Sequence, residues 1–445
     1  MTLRFQILFL HHIYQLKPPS GRATIIQHTT FNARIDRDRM LKELTDAAGN
    51  DNDSLKYEAG VAMHDISMKP ALLIRDPGPE YADAQRVWQG IPGIEQAPGG
   101  RLWAAWYSGG QTEEPGNYVV LVTSDDDGCT WSAPCSIIAP PDPGVRCFDP
   151  ALWLDPLGRL WLCWAQSESF YDYRAGVWAM HCADADCAAP TWTTPRRLTN
   201  GIMMNKPTVL ATGAWVFPTA VWAHGRQRPE LAAEYHSNIL VSLDAGETWT
   251  RRGGADIPGR WFDEHMVIER AEGTLWMLVR TEGGVGQALS TDGGTTWQPL
   301  PGLALPGPNA RFFIRRLRSG RLLLVNHEPE HGWSRVTGQV AAVDREAAAH
   351  IPRNNLMAML SEDDGRTWIG GLMLDERNQV SYPDGVQADD GRIYLIYDRE
   401  RYQAREILLA VFTEDDILAG SPTSPHARLR LLVNTATGVP SNPAG

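Results

Sequence analysis

From about residue 85 to residue 420 the chain alternates short apolar runs, rich in Trp, Leu, Val and Ile, with breaks containing Gly, Pro and Asp. Short apolar runs bounded by such residues predict β-strands and turns rather than helices. One unit is written six times: a strand, a turn containing glycine, and a second strand that leaves the turn and runs apolar. The copies are GIPGIEQAPGGRLWAAWYS, FDPALWLDPLGRLWLCWAQ, NKPTVLATGAWVFPTAVW, DEHMVIERAEGTLWMLVRT, ARFFIRRLRSGRLLLVNHE and SYPDGVQADDGRIYLIYDR. Their turn glycines are Gly100, Gly158, Gly213, Gly273, Gly320 and Gly391, with gaps of 58, 55, 60, 47 and 71 residues. Such a repeat fits a four-stranded sheet with loops of varying length. The expected fold is therefore all-β, a six-bladed β-propeller of four-stranded antiparallel blades, whose closure removes free sheet edges.

A second phrase, S-x-D-x-G-x-T-W, occurs at Ser124–Trp131, Ser242–Trp249, Ser290–Trp297 and Ser361–Trp368. It reads as a hairpin turn in which Ser and Asp side chains bond the backbone, Gly takes a positive φ and Trp packs beneath. The phrases follow the first, third, fourth and fifth hairpins, where the two outer strands of a blade would join. The second blade keeps only Asp184 and Trp192 in CADADCAAPTW; the sixth has no copy, and the segment near 85 or the tail after 420 is expected to complete its sheet. SDDDGCTW has the outline of a calcium loop but no glutamate where the twelfth-position ligand belongs, so no metal is implied.

The repeat also locates a site. Inner strands start at one rim and their partners return to it, while the turn phrases lie at the opposite rim. Nine residues before each turn glycine stand Ile91, Asp149, Glu264, Arg311 and Tyr382, with Lys206 equivalent in the shorter third hairpin. Seven residues after it stand Tyr107, Ala165, Ala220, Arg280, His327 and Asp398. One mouth thus collects Glu264, Tyr382, Arg280, Arg311, Lys206 and Asp149, more charge than a structural axis requires. Arg353, heading the strand that ends in the phrase at 361, starts from the same mouth. Taken singly, a strand Tyr usually packs, an Arg faces solvent or pairs, and His265 and His327 read first as structural histidines.

Bulk properties narrow the function. The 445 residues include 41 Gly, 31 Pro and 17 Trp, which suits many short strands and tight turns. A net charge of −12 without a Lys/Arg run argues against a nucleic-acid partner, since the phosphate backbone demands a basic face, although an acidic protein can still keep a basic pocket. Six cysteines lie between residues 129 and 187 without metal-ligand spacing and read as buried free thiols. No run is long enough to span a membrane. The start, MTLRFQILFLHHIYQL, is broken by His11 and His12 and has no small-residue cleavage site, so a cytoplasmic location is expected, secretion remaining open to a different start codon. Residues 1–65 are expected to be a poorly ordered extension, 66–425 the propeller and 426–445 a tail.

Taken together, the four phrases are Asp-boxes, and residues 85–420 resemble the sialidase propellers. Exo-sialidases place a Glu early in one inner strand, an Arg at the end of the returning strand, a later Arg before an Asp-box strand, and a Tyr opening the next inner strand. Glu264, Arg280, Arg353 and Tyr382 follow that order. The resemblance implies a retaining exo-glycosidase acting on a terminal acidic sugar of a glycan, sialic acid or a related keto-sugar acid. Tyr382 would be the nucleophile, Glu264 its base, and Arg280 and Arg353 the binders of the sugar carboxylate. Arg311, Lys206, Asp149 and His327 are further candidates for substrate contact. No metal, organic cofactor or obligate protein partner is implied. Two departures stand out. The family's R-I-P motif reads Gly90-Ile91-Pro92, so its first carboxylate-binding arginine is absent, with Arg86, Arg146, Lys206 and Arg311 as candidate replacements. The family's acid is an Asp after the first hairpin; here YSGGQTEEPGN offers Glu113 or Glu114, Glu113 first. The alternatives are a uronic-acid-specific hydrolase or polysaccharide lyase on the same propeller, and a non-catalytic carbohydrate-binding propeller.

Overall fold

All six hairpin glycines adopt a left-handed backbone in the computed structural model of the chain, with φ between 77° and 101°. Each donates its N–H to the carbonyl three residues earlier, from Gly100 to Ala97 through Gly391 to Ala388. Glycine alone takes this conformation without steric cost, which is why the turn recurs wherever the glycine does. The structure describes residues 66–169, 174–222, 228–328 and 352–440; the extension expected over 1–65 lies outside them.

Among the described residues the turns organise six antiparallel sheets, the blades of a β-propeller. The inner strands are Trp88–Gln96, Val145–Leu154, Thr208–Val209, Met266–Glu269, Phe313–Arg316 and Val380–Gln387. Each pairs with the strand after its glycine, and two further strands follow outward. Leu72–Arg75 adds a fifth strand outside Ser136–Ala139 of the first blade. The sixth blade is completed by Arg428–Thr435, pairing with Glu406–Phe412. The tail drawn from residue 426 therefore starts too early. Of the two closing segments considered, that after 420 forms the strand, because its apolar residues cover an edge that would otherwise be open.

Each Asp-box occupies the turn between the third and fourth strands of its blade. At the first, Asp126 Oδ1 accepts from Thr130 N at 2.8 Å and Oδ2 from Thr130 Oγ1 at 2.6 Å, while Gly128 N donates to Ser124 Oγ at 2.9 Å. The same bonds recur around Asp244, Asp292 and Asp363. Asp184 keeps part of this role, accepting from Thr191 N. In the sixth blade a short helix, Glu414–Ala419, takes the place of the box; Thr413 caps it by accepting from Asp416 N, and the Asp416 carboxylate accepts from Thr423 N and Ser424 N, both at 2.7 Å. Facing blades meet through apolar sheets, as where Trp153 and Trp215 pack edge-on at 4.8 Å. Of the cysteines, Cys147, Cys163 and Cys182 are buried thiols, whereas Cys129 and Cys187 are exposed, contrary to the uniform burial expected.

Candidate active site

Three inner strands break register at their heads: between Gly90 and Gly93, Phe148 and Ala151, and Ser381 and Asp384. At each break one residue precedes a proline and has a left-handed backbone: Ile91 at φ 58°, Asp149 at 49° and Tyr382 at 58°. Such a bulge turns a side chain out of the pleat, and a non-glycine residue holds this φ only where its surroundings enforce it. The rim positions counted from the turn glycines are, in these blades, bulges. In the fourth blade Phe262 and Asp263, just before Glu264, are also left-handed.

Tyr382 is the centre of the group. Its hydroxyl donates to Glu264 Oε1 at 2.8 Å and accepts from Arg280 Nη1 at 2.9 Å. Arg280 Nη1 also bonds Glu264 Oε1, and its Nε donates to Asn309 Oδ1 at 2.5 Å. Arg353 Nη2 donates to the Asn309 carbonyl at 2.7 Å, and its guanidinium carbon lies 5.6 Å from the Tyr382 ring centre. Asn309 therefore links the two arginines, a part no sequence pattern pointed to. Burial pushes the Tyr382 phenol up to about 12, against Arg280, Arg353 and Arg401, which pull it down. Glu264 is buried, and its Oε2 finds no hydrogen-bond partner within the described protein.

Arg401, which sequence reasoning did not single out, covers the Tyr382 ring at 4.1 Å. Its Nε donates to Asp398 Oδ2 at 2.8 Å and its Nη1 lies 3.5 Å from Glu113 Oε1. Glu113 also lies 3.8 Å from Arg146 Nη1. Glu114 instead accepts from Gln111 N within its own loop, so Glu113 is the one of the pair that faces the charged group. Asp149 is buried; burial raises its carboxyl to about 8, the neighbouring Arg146 offsetting only part of this, while Glu113 and Glu264 push it further up.

Other expected members are placed elsewhere. Lys206 runs into the axis, where its Nζ bonds Leu152 O at 2.6 Å and pairs with Glu95 at 3.1 Å and Asp384 at 3.3 Å. Fully buried Arg311 lies 3.4 Å from both Asp384 Oδ1 and Pro92 O. Both cations thus satisfy the channel carboxylates, as buried charge must. His327 is buried, with its Nε2 on Val380 O at 2.8 Å, and burial lowers its ring to about 4. It holds the strand carrying Tyr382 rather than reaching the group itself. His265 sits between the carbonyls of Asp263 and Asn238 as a structural histidine. Arg86 is tied to Asp83, Tyr81 O and Asn434.

Comparison with known proteins agrees with this architecture. A family model described as a BNR repeat-like domain matches residues 100–395. A sialidase of Paraclostridium sordellii is 30% identical over 138 residues, a match covering 27% of this chain and 32% of that protein. The solved structure of the Hadza microbial sialidase Hz136 superposes with a TM-score of 0.57 at 18% identity, covering 75% of this chain and 67% of that one. The intramolecular trans-sialidase of Ruminococcus gnavus, solved with oseltamivir carboxylate, gives 0.56 at 14% identity, covering 82% and 100%. At these identities the structural likeness is one of fold.

Proposed function

Because the chain belongs to the BNR repeat-like domain family, among the sialidase-like propellers, we propose that it is a retaining exo-glycosidase that removes a terminal acidic sugar from glycans. The observation that carries the reading is the contact of Tyr382 with both Glu264 and Arg280. A sugar with a carboxylate on its anomeric carbon repels an anionic nucleophile, whereas a neutral phenol approaches without that penalty. A phenol is weakly nucleophilic until its proton leaves, and Glu264 lies at hydrogen-bond distance to take it. Tyr382 Oη then bonds the anomeric carbon as the glycosidic bond breaks, and the departing oxygen takes a proton from Glu113. In the second half, water is deprotonated by Glu113 and replaces the tyrosine, whose proton returns from Glu264. Arg280 and Arg353 present guanidinium groups suited to a carboxylate.

The test is release of chromophore from sialic, keto-deoxy and uronic glycosides by the wild type and variants. Glu264→Gln should lower kcat by ~100- to 10,000-fold, the range of one acid–base contribution, and Tyr382→Phe at least as much. Adding Glu264→Gln to Tyr382→Phe should cost far less than it does alone, since groups acting as a unit are not additive. Ordinary turnover by Tyr382→Phe, or an ultraviolet-absorbing unsaturated product, would move the assignment to a lyase. Saturable glycan binding without turnover would move it to a binding propeller.

A further inference from the structure

We propose that Arg401 supplies a third guanidinium for recognition of the sugar carboxylate, and that residue 90 is glycine in order to admit it. This rests on the acidic-sugar reading above but names a residue and a space particular to this chain. Gly90 stands on the inner strand of the first blade, and its φ lies outside the left-handed region, so the backbone does not require glycine there. Space does. A Cβ on Gly90 would fall 2.7 Å from Arg401 Cδ, 2.8 Å from Nε and 3.0 Å from Cγ. The stem of Arg401, arriving from just beyond the strand Ile393–Arg399 of the sixth blade, occupies the volume a residue-90 side chain would fill.

Its head is held as a binding group is held. Asp398 Oδ2 accepts from Nε at 2.8 Å and also receives Ile91 N at 2.8 Å, while Asp398 Oδ1 receives Ser381 Oγ at 3.0 Å. One carboxylate therefore joins the heads of the first and sixth inner strands and aims Arg401 across the Tyr382 ring. Arg280, Arg353 and Arg401 converge on this single phenol. With Arg146 beside Glu113, four guanidinium groups face the carboxylates Glu113, Glu264 and Asp398, while the fourth acid near them, Asp149, is raised by burial to about 8 and carries little charge at neutral pH. In a chain of net charge −12, this is a local excess of positive charge, which an anion would neutralise. The guanidinium that approaches from residue 401 also contacts Glu113, so anion recognition and the proposed proton donor share one group.

The probe is the 2,3-unsaturated derivative of N-acetylneuraminic acid, planar at the reacting carbon, compared with its methyl ester, binding being measured by calorimetry. The wild type should prefer the acid, and Arg401→Met should weaken the acid by roughly 10- to 100-fold while leaving the ester unchanged, as expected for losing one charge-assisted contact. Arg401→Lys, which keeps the stem and the charge, should fall between. Gly90→Arg alone should bind poorly because two side chains compete for one space. Gly90→Arg with Arg401→Ala should recover the preference for the acid. A purely structural Arg401 would shift acid and ester together, and that result, or failure of the double variant to recover, overturns the assignment. A wild type that does not prefer the acid overturns it as well. Acid preference lost in Arg401→Met, without hydrolysis of any glycoside by the wild type, sustains the assignment and overturns the proposed reaction alone.

Discussion

Asp149 shows at the scale of one residue how position alters chemistry. It is 2% exposed, on a left-handed backbone, and its Oδ1 finds no partner within the described protein. An unfolded aspartate ionises near 3.8, whereas burial holds this one protonated to about 8. Between those values the unfolded chain binds fewer protons than the folded one. Stability contributed at this site therefore falls as pH rises, by about 1.4 kcal/mol per unit, and levels off above the folded value. Asp149→Asn removes the titration, so the variant should be more stable than the wild type at about pH 8, with the gap shrinking toward about pH 4. Urea denaturation at several pH values measures this, and a gap independent of pH would sink it. His327 has the opposite sign: its folded value is lowered to about 4, so stability is lost as pH falls from its unfolded value of 6.5 to that level. His327→Gln should flatten the acid limb of a melting-temperature profile, and an unchanged limb would show that the ring does not titrate as placed.

At the scale of the element, two kinds of glycine have similar φ and different reasons to exist. Gly320 turns the fifth hairpin at φ 90° with nothing within 4 Å of an added Cβ. Gly365, in the last Asp-box, has φ 84°, but its Cβ would lie 2.4 Å from Trp276. Gly320→Ala should therefore cost about 1–2 kcal/mol for the left-handed backbone alone. Gly365→Ala should add about 1–3 kcal/mol of overpacking against the neighbouring blade. Chemical denaturation of the two variants compares them directly, and equal losses would remove close blade approach as the reason for the Asp-box glycine. The box tryptophans Trp131, Trp249, Trp297 and Trp368 are half-buried. Their replacement by Ala should thus cost less than the ~3–5 kcal/mol of a fully enclosed ring.

For the whole molecule the decisive feature is closure. Arg428–Thr435 covers the outer edge of the sixth blade, and the chain beyond it returns to the first: Thr437 N donates to Asp83 O and Gly438 N to Arg86 O, both at 2.9 Å. Asn434 Oδ1 accepts from Arg86 at 2.7 Å, and Val433 and Ala436 are buried. Ending the chain before Arg428 should expose a bare sheet edge and leave Arg86 without that partner. The expected outcome is loss of cooperative melting and appearance of aggregate by size exclusion. A truncated protein that melts at the wild-type midpoint would show that the ring closes without this strand.

What the sequence determined follows from local rules. A turn glycine needs a left-handed φ and an Asp-box satisfies its own backbone, so the six hairpins, the paired outer turns and their rim were legible from spacing alone. The meeting of Glu264, Arg280 and Tyr382 was legible for the same reason, since a fixed count from each turn carries a side chain to one mouth, and Arg353 was legible from the Asp-box at the other end of its strand. The count could not say which way a side chain leaves that position. Lys206 and Arg311 stand at the counted positions, yet the long stems of both reach Asp384 in the axis, because an unpaired carboxylate there would be costly. Arg401 and Asn309 lie in connecting segments outside the repeat, so no period could place them. Gly90 reads in sequence as a lost arginine, and only the packing of the sixth blade against the first shows a side chain from elsewhere in that space.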